Sequence, residues 1–571
     1  MEEALDKGLK AAIAKTTAGL SPIALAAAYS DWVLHLATSP GKQLQLVEKA
    51  AKKSTKFASY AATCATHPDA PQTCIEPLPQ DRRFKSEGWK KWPYNLIHQS
   101  FLLNQQWWHN ATTGVEGMIK QHENVVEFAA RQVLDVFSPS NSLLTNPDIL
   151  RKTISEGGWN LVRGWRNFVE DATRQNTGQK PYGAEEFEVG RNLATTPGKV
   201  VYRNRLIELI QYAPTTDTVR PEPILIVPAW IMKYYILDLS ERNSMVRFLT
   251  GQGFTVFMVS WMNPGAEDRA IGMDDYLSLG VMDAVEATTQ ITQSKDLHAI
   301  GYCLGGTLLS IAASAMARNG DMRLKTLTLL AAQTDFTDAG ELQLFINDSQ
   351  LTFLEDMMWK QGYLDSTQMA GTFQLLRSND LIWSYMIHDY LMGERTPMID
   401  LMAWNSDSTR MPYRMHSEYL RRLYLNNDLA EGRYKVGDDP VTVSDIRAPV
   451  FIVGTERDHV APWHSVYKFN LLSDTDVTFV LTSGGHNAGI VSEPGHPRRH
   501  YRIASTTKDA PYIDPERWVE ETEPTDGSWW PALTDWLANN SGKLTTPPPL
   551  GSKERGYPPL CDAPGTYVFQ E

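Results

Sequence analysis

The stretch Leu297–Gly306, with the sequence LHAIGYCLGG, decides the fold. Its first six residues are mostly apolar and predict a buried strand, and the apolar run Gly306–Arg318 predicts a helix directly after it. Cys303 therefore lies in a sharp turn between strand and helix, with Gly301 and Gly305 two positions away on either side. The pattern G-x-C-x-G is that of a nucleophile elbow in which cysteine takes the place of the usual serine.

The chemistry of such a turn explains each residue type. A nucleophile between a strand and a helix has a strained backbone, and side chains two positions away would clash with the turn. The start of the helix favours a thiolate at Cys303, and the amide of Leu304 points to where an oxyanion would form. A buried structural cysteine is the alternative. A chance match to the pattern is expected only about 0.02 times in a chain of this composition, which favours the nucleophile.

Strand and helix patterns alternate on both sides of this turn and predict a mostly parallel sheet with helices on both faces, hence an α/β fold. Besides the strand before Cys303, the predicted strands are Val200–Tyr202, Leu206–Tyr212, Ile224–Val227, Thr255–Ser260, Lys325–Ala331, Ala448–Gly454 and Val477–Leu481. A helix is predicted over Asp275–Gln293.

The chain divides into two predicted domains. Residues 1–195 have helical spacing in Ile23–Leu36, Trp92–Trp108 and Asn124–Phe137, so we expect a mostly α-helical N-terminal domain. Its many aromatic residues pack between helices or face a partner or an apolar phase. Residues 196–571 are predicted to form the catalytic domain.

Within the second domain, about residues 336–445 separate two predicted strands. A connection of that length is improbable without structure of its own, so we predict a helical cap insertion. Helical spacing is present at Gln374–Tyr390 and Glu418–Leu425. The Pro-rich tail beyond Trp536 is expected to be irregular.

Composition excludes several classes of function. With 54 Lys and Arg against 67 Asp and Glu, the net charge of −13 argues against a general nucleic-acid binder. Four cysteines without a C-x-x-C pair give neither a disulfide framework nor a thiolate zinc site, and no H-E-x-x-H or phosphate-binding loop is present. We expect no metal and no bound cofactor. The acidic amino terminus and the lack of a long apolar run predict a soluble, cytoplasmic protein with no transmembrane segment.

An acid and a histidine should follow the nucleophile, each at the end of a strand. Asp458 is the predicted acid because it opens the loop after the strand at 448–454, and Glu456 is the fallback. His486 is the predicted base because a strand and the turn Ser483-Gly484-Gly485 precede it. His459 is a rival that would compete with Asp458 for the same strand end. Two further histidines, His464 and His496, lack the strand context.

These residues predict a division of labour. His486 takes the proton of Cys303, and the thiolate attacks an activated acyl carbonyl. Asp458 either orients His486 or helps to deprotonate a hydroxyl acceptor. Besides Leu304, a second backbone oxyanion donor should come from the turn after Ile224–Val227, from Ala229 or Trp230. A cysteine suits thioester exchange, because the acyl group on it stays reactive for transfer to an alcohol.

The sequence resembles the polyhydroxyalkanoate (poly-3-hydroxybutyrate) synthases of the single-polypeptide class I type, in the α/β-hydrolase superfamily. The resemblance covers most of the chain. The motifs that carry it are Gly301–Gly306, Asp458–Trp463, Gly484–His486, Asp81–Phe84, Ser138–Asn141, Thr145–Pro147, Asn160–Gly164, Lys233–Leu239 and Trp261–Pro264.

The resemblance implies an α/β-hydrolase fold with a helical cap, and an acyltransferase reaction. (R)-3-Hydroxyacyl groups would pass from CoA thioesters to a growing polyester through a covalent thioester on Cys303, with release of CoA. It also implies His486 as the base of Cys303 and Asp458 as the helper of the 3-hydroxyl group. Finally, it implies a homodimer and residence at the surface of polymer granules, which the aromatic N-terminal helices would face.

The chain departs from the family at Ala229 and Met232, where a proline and an asparagine are usual, and its tail Gly551–Glu571 does not match the pattern. Arg410 and Arg414 could contact the phosphates of CoA, although solvated charges are the simpler interpretation. Two alternatives stay open. One is an α/β-hydrolase-type acyl-CoA thioesterase or an acyltransferase for a small acceptor, and the other is a non-catalytic granule scaffold.

Overall fold

The computed structural model describes residues 2–17, 19–67, 73–78, 81–365, 368 and 382–571. The strands found in these ranges are numbered in chain order. They are β1 (Gly198–Arg203), β2 (Ile207–Tyr212), β3 (Ile224–Val227), β4 (Val256–Trp261), β5 (Leu297–Tyr302), β6 (Leu324–Leu330), β7 (Tyr363–Leu364), β8 (Met411–Pro412), β9 (Tyr434–Val436), β10 (Asp439–Val441), β11 (Val450–Thr455), β12 (Val477–Thr482), β13 (His500–Thr506), β14 (Thr525–Asp526) and β15 (Cys561–Asp562).

The α-helices of the same ranges fall on both sides of residue 183. Those before it are α1 (Glu2–Thr16), α2 (Pro22–Ala37), α3 (Pro40–Thr66), α4 (Tyr94–Thr112), α5 (Lys120–Val136), α6 (Pro147–Ser155) and α7 (Trp159–Asn176). Those after it are α8 (Met245–Gly251), α9 (Met273–Asp275), α10 (Asp283–Thr292), α11 (Leu304–Arg318), α12 (Asp348–Gln361), α13 (Asp400–Asn405), α14 (Tyr413–Tyr419), α15 (Trp463–Tyr467), α16 (Phe469–Leu472), α17 (Pro515–Glu521) and α18 (Trp530–Asn539).

Short 3-10 and π segments join these elements. The 3-10 segments are Glu87–Lys90, Pro139–Asn141, Ala184–Glu186, Tyr234–Asp238, Ala266–Asp268, Gly340–Phe345, Val443–Asp445, Lys553–Arg555 and Tyr567–Phe569. The π segments are Tyr276–Met282, Met386–Leu391 and Leu420–Leu425. The helix predicted over Asp275–Gln293 is therefore three consecutive segments, α9, a π segment and α10.

Eleven strands form one sheet in the order β14-β13-β12-β11-β6-β5-β3-β4-β2-β1-β15. The six neighbouring strands from β12 to β4 are parallel to one another, and the strands outside them are antiparallel. The predicted parallel strands are confirmed at the centre of the sheet, but five of its ten strand pairings are antiparallel, so the sheet as a whole is mixed. In its register, Val227 of β3 pairs with Gly301 of β5, and Leu330 of β6 pairs with Tyr302. The ends of these three strands therefore meet beside Cys303.

Burial explains why the central strands could be predicted from the sequence. Every residue of β3, β4, β5, β11 and β12 is buried. Parallel strands covered on both faces need near-continuous apolar runs rather than alternation. Accordingly, β3 and β5 have the bounds predicted from their apolar runs, and β4 is displaced by a single residue.

The segment between β6 and β11 contains the helices α12–α14 and two small strand pairs, β7 with β8 and β9 with β10. The helix predicted at Glu418–Leu425 corresponds to the end of α14 and the following π segment. Of the helix predicted at Gln374–Tyr390, residues 374–381 lie outside the described residues. The cap limits of about 336–445 stay a prediction.

The chain forms two compact units. One contains the sheet and comprises the described residues of 1–13, 183–369 and 398–571; the other is helical and comprises those of 14–182 and 370–397. An N-terminal helical region is thus present as predicted. The domain division at 195 and 196 stays a prediction.

Two of the N-terminal motifs have clear roles within the helical unit. Arg83 forms ion pairs with Asp81 and the buried Asp135, at 2.8 and 2.6 Å. Gly164 lies so close to the chain that an added Cβ would be 1.7 Å from the carbonyl oxygen of Tyr390. Only glycine allows α7 to pack this closely on the π segment that contains Tyr390.

The tail beyond α18 was expected to be irregular, and this is wrong for its last part. β15 pairs with β1, so the tail provides an edge strand of the sheet. Before it, the side chain of Gln211 accepts a hydrogen bond from the amide of Gly551 at 2.8 Å and donates one to the carbonyl oxygen of Pro549 at 3.0 Å. The proline and turn residues of the tail did not indicate these pairings, because the pairings depend on long-range contacts.

Among the described residues, no helix combines the length and the hydropathy needed to cross a membrane.

A buried histidine in the sheet predicts a loss of stability in acid. His298 on β5 is fully buried and hydrogen-bonds Thr326 at 2.8 Å and Ser541 at 2.9 Å. Burial, with the charge of Lys325, lowers the pKa of His298 from 6.5 to about 4. The unfolded chain therefore binds more protons than the folded protein in this window, so stability falls as the pH falls from 6.5 towards 4.

We expect this residue to reduce the free energy of unfolding by about 2 kcal/mol between pH 7 and pH 5. In urea unfolding at the two pH values, His298→Gln should show an acid-induced loss that is smaller by about this amount. His67→Gln, at an exposed position, is the control and should behave as the wild type. An unchanged pH dependence in His298→Gln would contradict the prediction.

Candidate active site

Cys303 lies in the turn between β5 and α11. Its backbone has a positive φ of 53° with ψ −123°, and the residue is 9% exposed. A cysteine in this conformation is strained, and strain of this kind is characteristic of functional sites. Leu304 is the first residue of α11, where backbone N–H groups have no acceptor within the helix. The thiol and this amide are therefore next to each other at the helix start.

Three glycines permit the turn by letting backbones meet. An added Cβ on Gly301 would lie 2.4 Å from the Cα of Gly306, and one on Gly306 would lie 2.5 Å from the Cβ of Ala332. An added Cβ on Gly305 would lie 2.1 Å from the carbonyl oxygen of Val227 and 2.6 Å from that of Pro228. The segment after β3 is thus in direct contact with the start of α11.

Asp458 and His486 form a buried pair beside this turn. His486 Nδ1 and Asp458 Oδ2 are 2.7 Å apart, and the side chain of Asp458 is fully buried. The other carboxylate oxygen accepts hydrogen bonds from the amides of Val460 and Ala461, both at 2.9 Å. Thr455 donates its hydroxyl to Oδ2 at 3.1 Å. The carboxylate is therefore fixed from three directions.

The electrostatics of the pair favour an ionised form. For Asp458, burial alone would raise the pKa, but the charge and hydrogen bond of His486 and the two amides outweigh it and lower the pKa below its usual value. For His486, burial would lower the pKa, but the charges of Asp458 and Cys303 and hydrogen bonds to both raise it well above 6.5. His486 therefore joins the carboxylate to the sulfur, and an imidazolium ion there stabilises a thiolate.

The rival residues considered in the sequence have other partners. Glu456, the fallback acid, pairs with His500 at 3.0 Å. His464 lies 3.2 Å from Glu516, and His496 Nδ1 lies 3.0 Å from the carbonyl oxygen of Pro497. His459 is the neighbour of Asp458, but the ring that contacts the carboxylate is that of His486. The chain order of cysteine, acid and histidine thus corresponds to one hydrogen-bonded series.

The predicted oxyanion donors Ala229 and Trp230 lie in the turn after β3 and are 5% and 2% exposed. The neighbouring Pro228 contacts Gly305, two residues after Cys303. Trp261 Nε1 holds the carbonyl oxygen of Pro228 at 2.9 Å. The turn is therefore fixed beside the start of α11, and the assignment of a second oxyanion donor to it stays a prediction.

Sequence reasoning missed three residues that surround the His486–Asp458 pair, which are Tyr302, Asn487 and Thr455. The ring of Tyr302 lies 5.6 Å from that of His486, and its hydroxyl donates to Asn487 Oδ1 at 2.5 Å. Asn487 also contacts Asn405, at 3.2 Å. Tyr302 directly precedes Cys303 and Asn487 directly follows His486, so proximity to the motifs was the available signal. Thr455, at the end of β11, had no such signal.

The two arginines that could contact the phosphates of CoA, Arg410 and Arg414, have other partners in this structure. Arg414 pairs with Glu418 at 2.7 Å, and Arg410 stacks on Tyr363 with 5.0 Å between its guanidinium carbon and the ring centroid. No group of three or more His, Cys, Asp and Glu side chains in the described part of the chain is arranged to hold a metal ion. The contacts of CoA stay unassigned.

The sheet, with Cys303 in the turn between β5 and α11, defines an α/β-hydrolase fold. The family model described as "alpha/beta hydrolase fold" matches residues 222–492. The solved structure of the Paleococcus ferrophilus monoacylglycerol lipase is 13% identical, with a TM-score of 0.32, and covers 59% of this chain and 99% of the lipase chain. Two further models match the amino-terminal part. "Poly-beta-hydroxybutyrate polymerase (PhaC) N-terminus" covers residues 80–249, and "Poly-beta-hydroxybutyrate polymerase N terminal" covers residues 1–42.

Relatives of similar length match along most of the chain. The "Poly(3-hydroxyalkanoate) polymerase" of Methylorubrum extorquens is 39% identical, over 91% of this chain and 87% of its own. The "Poly(3-hydroxyalkanoate) polymerase subunit PhaC" is 37% identical both in Rhizobium meliloti, over 86% and 79% of the two chains, and in Cupriavidus necator, over 86% and 83%. The chain belongs to the poly(3-hydroxyalkanoate) polymerase family, as its motifs predicted.

The ion pair predicts how Cys303 reacts when Asp458 loses its charge. Asp458→Asn removes the charge that raises the pKa of His486, so the imidazolium and the thiolate it supports become less favourable at neutral pH. We expect alkylation of Cys303 by iodoacetamide at pH 7 to slow severalfold, because the imidazolium that supports the reactive thiolate is lost. The rate is measured by mass spectrometry of the peptide that contains Cys303.

Glu456→Gln is the matched control, because Glu456 is an acid at the same strand end that pairs with His500 instead. It should alkylate at the wild-type rate. Slowing in Glu456→Gln without slowing in Asp458→Asn would assign the acid to Glu456.

Proposed function

We propose that this chain is a poly(3-hydroxyalkanoate) polymerase that transfers (R)-3-hydroxyacyl groups from CoA thioesters to a growing polyester, with release of CoA. The observation that carries the proposal is the hydrogen-bonded series Cys303–His486–Asp458 at a nucleophile elbow, in a chain of this polymerase family. The CoA thioester is a substrate, and we propose no further cofactor.

The first step is the acylation of Cys303. Its thiolate attacks the thioester carbonyl, and the negative charge that develops on the oxygen is stabilised by the amide of Leu304 and by one from Ala229 or Trp230. The bond to the CoA sulfur then breaks, and the leaving thiolate takes the proton that His486 holds. The acyl group is left on Cys303 as a thioester of nearly the same energy as the one consumed.

The second step transfers the acyl group to a hydroxyl. The hydroxyl oxygen of the acceptor attacks the acyl thioester on Cys303, and His486, supported by the carboxylate of Asp458, takes the hydroxyl proton. An ester bond forms and the bond to the sulfur of Cys303 breaks, which restores the thiolate and imidazolium pair. Each cycle therefore adds one monomer and releases one CoA.

A thioesterase of the same fold would share the first step and use water in the second. The two functions differ in the fate of the acyl group. We predict that the protein incubated with 3-hydroxybutyryl-CoA forms insoluble polyester in proportion to the CoA that it releases. Release of CoA with only free hydroxy acid would contradict the polymerase and favour the thioesterase.

Cys303→Ala should lower CoA release by at least about a thousandfold while the protein stays folded, because no other group can accept the acyl chain. Cys561→Ala is the matched control, since Cys561 is a half-exposed cysteine on the edge strand β15. It should keep the wild-type rate. Full polymer formation by Cys303→Ala would overturn the assigned nucleophile.

We further infer that the helical unit binds the polyester granule and that the active form is a homodimer. Support for granule binding comes from α7, where five large apolar side chains recur at helical spacing and are exposed. They are Trp159 (66%), Val162 (57%), Trp165 (66%), Phe168 (44%) and Val169 (43%). Exposed apolar surface of this extent marks an interaction site, and a solid polyester offers an apolar one.

The exposed tryptophans give this inference a direct test. We expect Trp159→Ser with Trp165→Ser to reduce severalfold the fraction of protein that sediments with preformed polyester granules, because both lost side chains lie on the exposed face. Leu471→Ser, which removes an exposed apolar residue from the sheet unit, is the control and should sediment as the wild type. Equal sedimentation of the double variant would contradict α7 as the granule-binding face.

A further inference from the structure

The turn after β3 is held by the segment before β8. We call residues 228–233 the oxyanion loop. Thr409 donates its hydroxyl to the carbonyl oxygen of Trp230 and its amide to that of Ile231, the latter at 3.1 Å. Trp404 donates its indole N–H to the carbonyl oxygen of Lys233 at 2.8 Å. Several bonds therefore fix the carbonyl side of the loop.

The side chain of Lys233 ties the same loop to the tail. Lys233 is only 4% exposed, and its Nζ donates to the carbonyl oxygen of Gln570 at 2.6 Å. Asn263 holds the same tail residue: its amide donates to Gln570 Oε1 at 2.9 Å, and its side chain donates to the carbonyl oxygen at 3.3 Å. Asn263 Oδ1 accepts the amide of Arg410 at 2.9 Å. Gln570 is thus bound by both neighbouring segments.

The end of the tail is held by a buried carboxylate of the sheet. Glu208 on β2 is fully buried and accepts hydrogen bonds from the amides of Thr566 and Tyr567, at 2.8 and 2.9 Å, and from the hydroxyl of Thr566 at 2.7 Å. Arg203 neutralises the carboxylate at 2.5 Å. A buried carboxylate with this number of partners fixes the turn just before Gln570.

Placing an ammonium group at a buried position is costly unless it is well paired. Lys233 is such a buried ammonium group, and it lies three residues from Trp230, a proposed backbone donor that must be held within a fraction of an ångström to stabilise an oxyanion. Neither Lys233 nor Asn263 takes part in the acylation chemistry, yet both belong to motifs by which the sequence resembles its family. Their shared partner is Gln570.

We propose that Lys233 is a positioning residue for the acyl-transfer reaction, and that its bond to Gln570 makes the tail a clamp on the oxyanion loop. The proposal rests on the proposed function. Loss of the clamp leaves Cys303, His486 and Asp458 in place but loosens the backbone donors. The rate constant of the chemical step should fall, and substrate binding should change little, because an oxyanion exists only in the transition state.

The experiment compares Lys233→Met, Lys233→Arg and a chain that lacks Gln570 and Glu571 with a matched control, Lys199→Met, in CoA release from 3-hydroxybutyryl-CoA. Lys199 is a half-exposed lysine on β1 that also bonds the tail, at Asp562, away from the oxyanion loop. We expect Lys233→Met to lower kcat by about tenfold or more with KM changed less than about twofold. Lys233→Arg should recover part of the loss, and Lys199→Met should equal the wild type.

Each outcome decides between a positioning and a structural role. Wild-type kcat in Lys233→Met, or an equal loss in Lys199→Met, would overturn the proposal. If Lys233→Met does not fold, as judged by its thermal unfolding, the chain that lacks Gln570 and Glu571 decides, because it lacks the carbonyl oxygen that Lys233 binds: a lower kcat at unchanged Tm supports the clamp, and a wild-type kcat overturns it. If the wild type releases CoA without forming polymer, the polymerase assignment fails. The comparison of kcat for CoA release still tests whether Lys233 is a positioning residue.

Discussion

The backbone of Gly305 rests on the carbonyl oxygens of Val227 and Pro228, at a distance that leaves no room for a side chain. This contact joins the start of the helix after the nucleophile to the turn after a neighbouring strand. The positive-φ backbone of Cys303 can persist because such contacts on either side over-determine it. The parallel register of β3 with β5 brings the two strand ends together, so the sheet itself specifies where thiol and backbone donors meet.

The second layer of the site is electrostatic. Asp458 and His486 are buried together. For each residue, the attraction to the ionised form of the other offsets the free energy that its charge loses on leaving water. The amides of Val460 and Ala461 secure the carboxylate, and the ring of Tyr302 lies against the imidazole. The arrangement requires the loops after β11 and β12 to be rigid, and the parallel pairing of these strands supplies the frame.

Much of this architecture could be predicted from the sequence, because the buried parallel strands are continuous apolar runs. The bounds of β3 and β5 follow from those runs, and the elbow follows from Gly301, Cys303 and Gly305. Asp458 and His486 could be selected because each follows a strand in the order that the chemistry requires. These local signals are strong because they depend on neighbours within a few residues.

The remaining features depend on contacts that no local pattern shows. The pairing of β15 with β1 and the bonds of Gln570 join residues hundreds of positions apart, and the Pro-rich composition of the tail pointed the other way. At the departure Met232, the backbone forms an isolated bridge with Ser408, and nothing in the structure explains the thioether side chain. An alanine at 229 carries an N–H that proline lacks, which adds a donor to the turn.

The bond between Lys233 and Gln570 has a consequence for how the protein is made. A ribosome produces the elbow, the acid and the base well before it reaches residue 570. A nascent chain can therefore fold the sheet around Cys303 while the oxyanion loop still lacks its clamp. On the proposal made above, such a chain would carry a formed thiol site with slow chemistry, and synthesis of the final residues of the clamp would switch on full turnover. The timing of activity would then be set by translation itself.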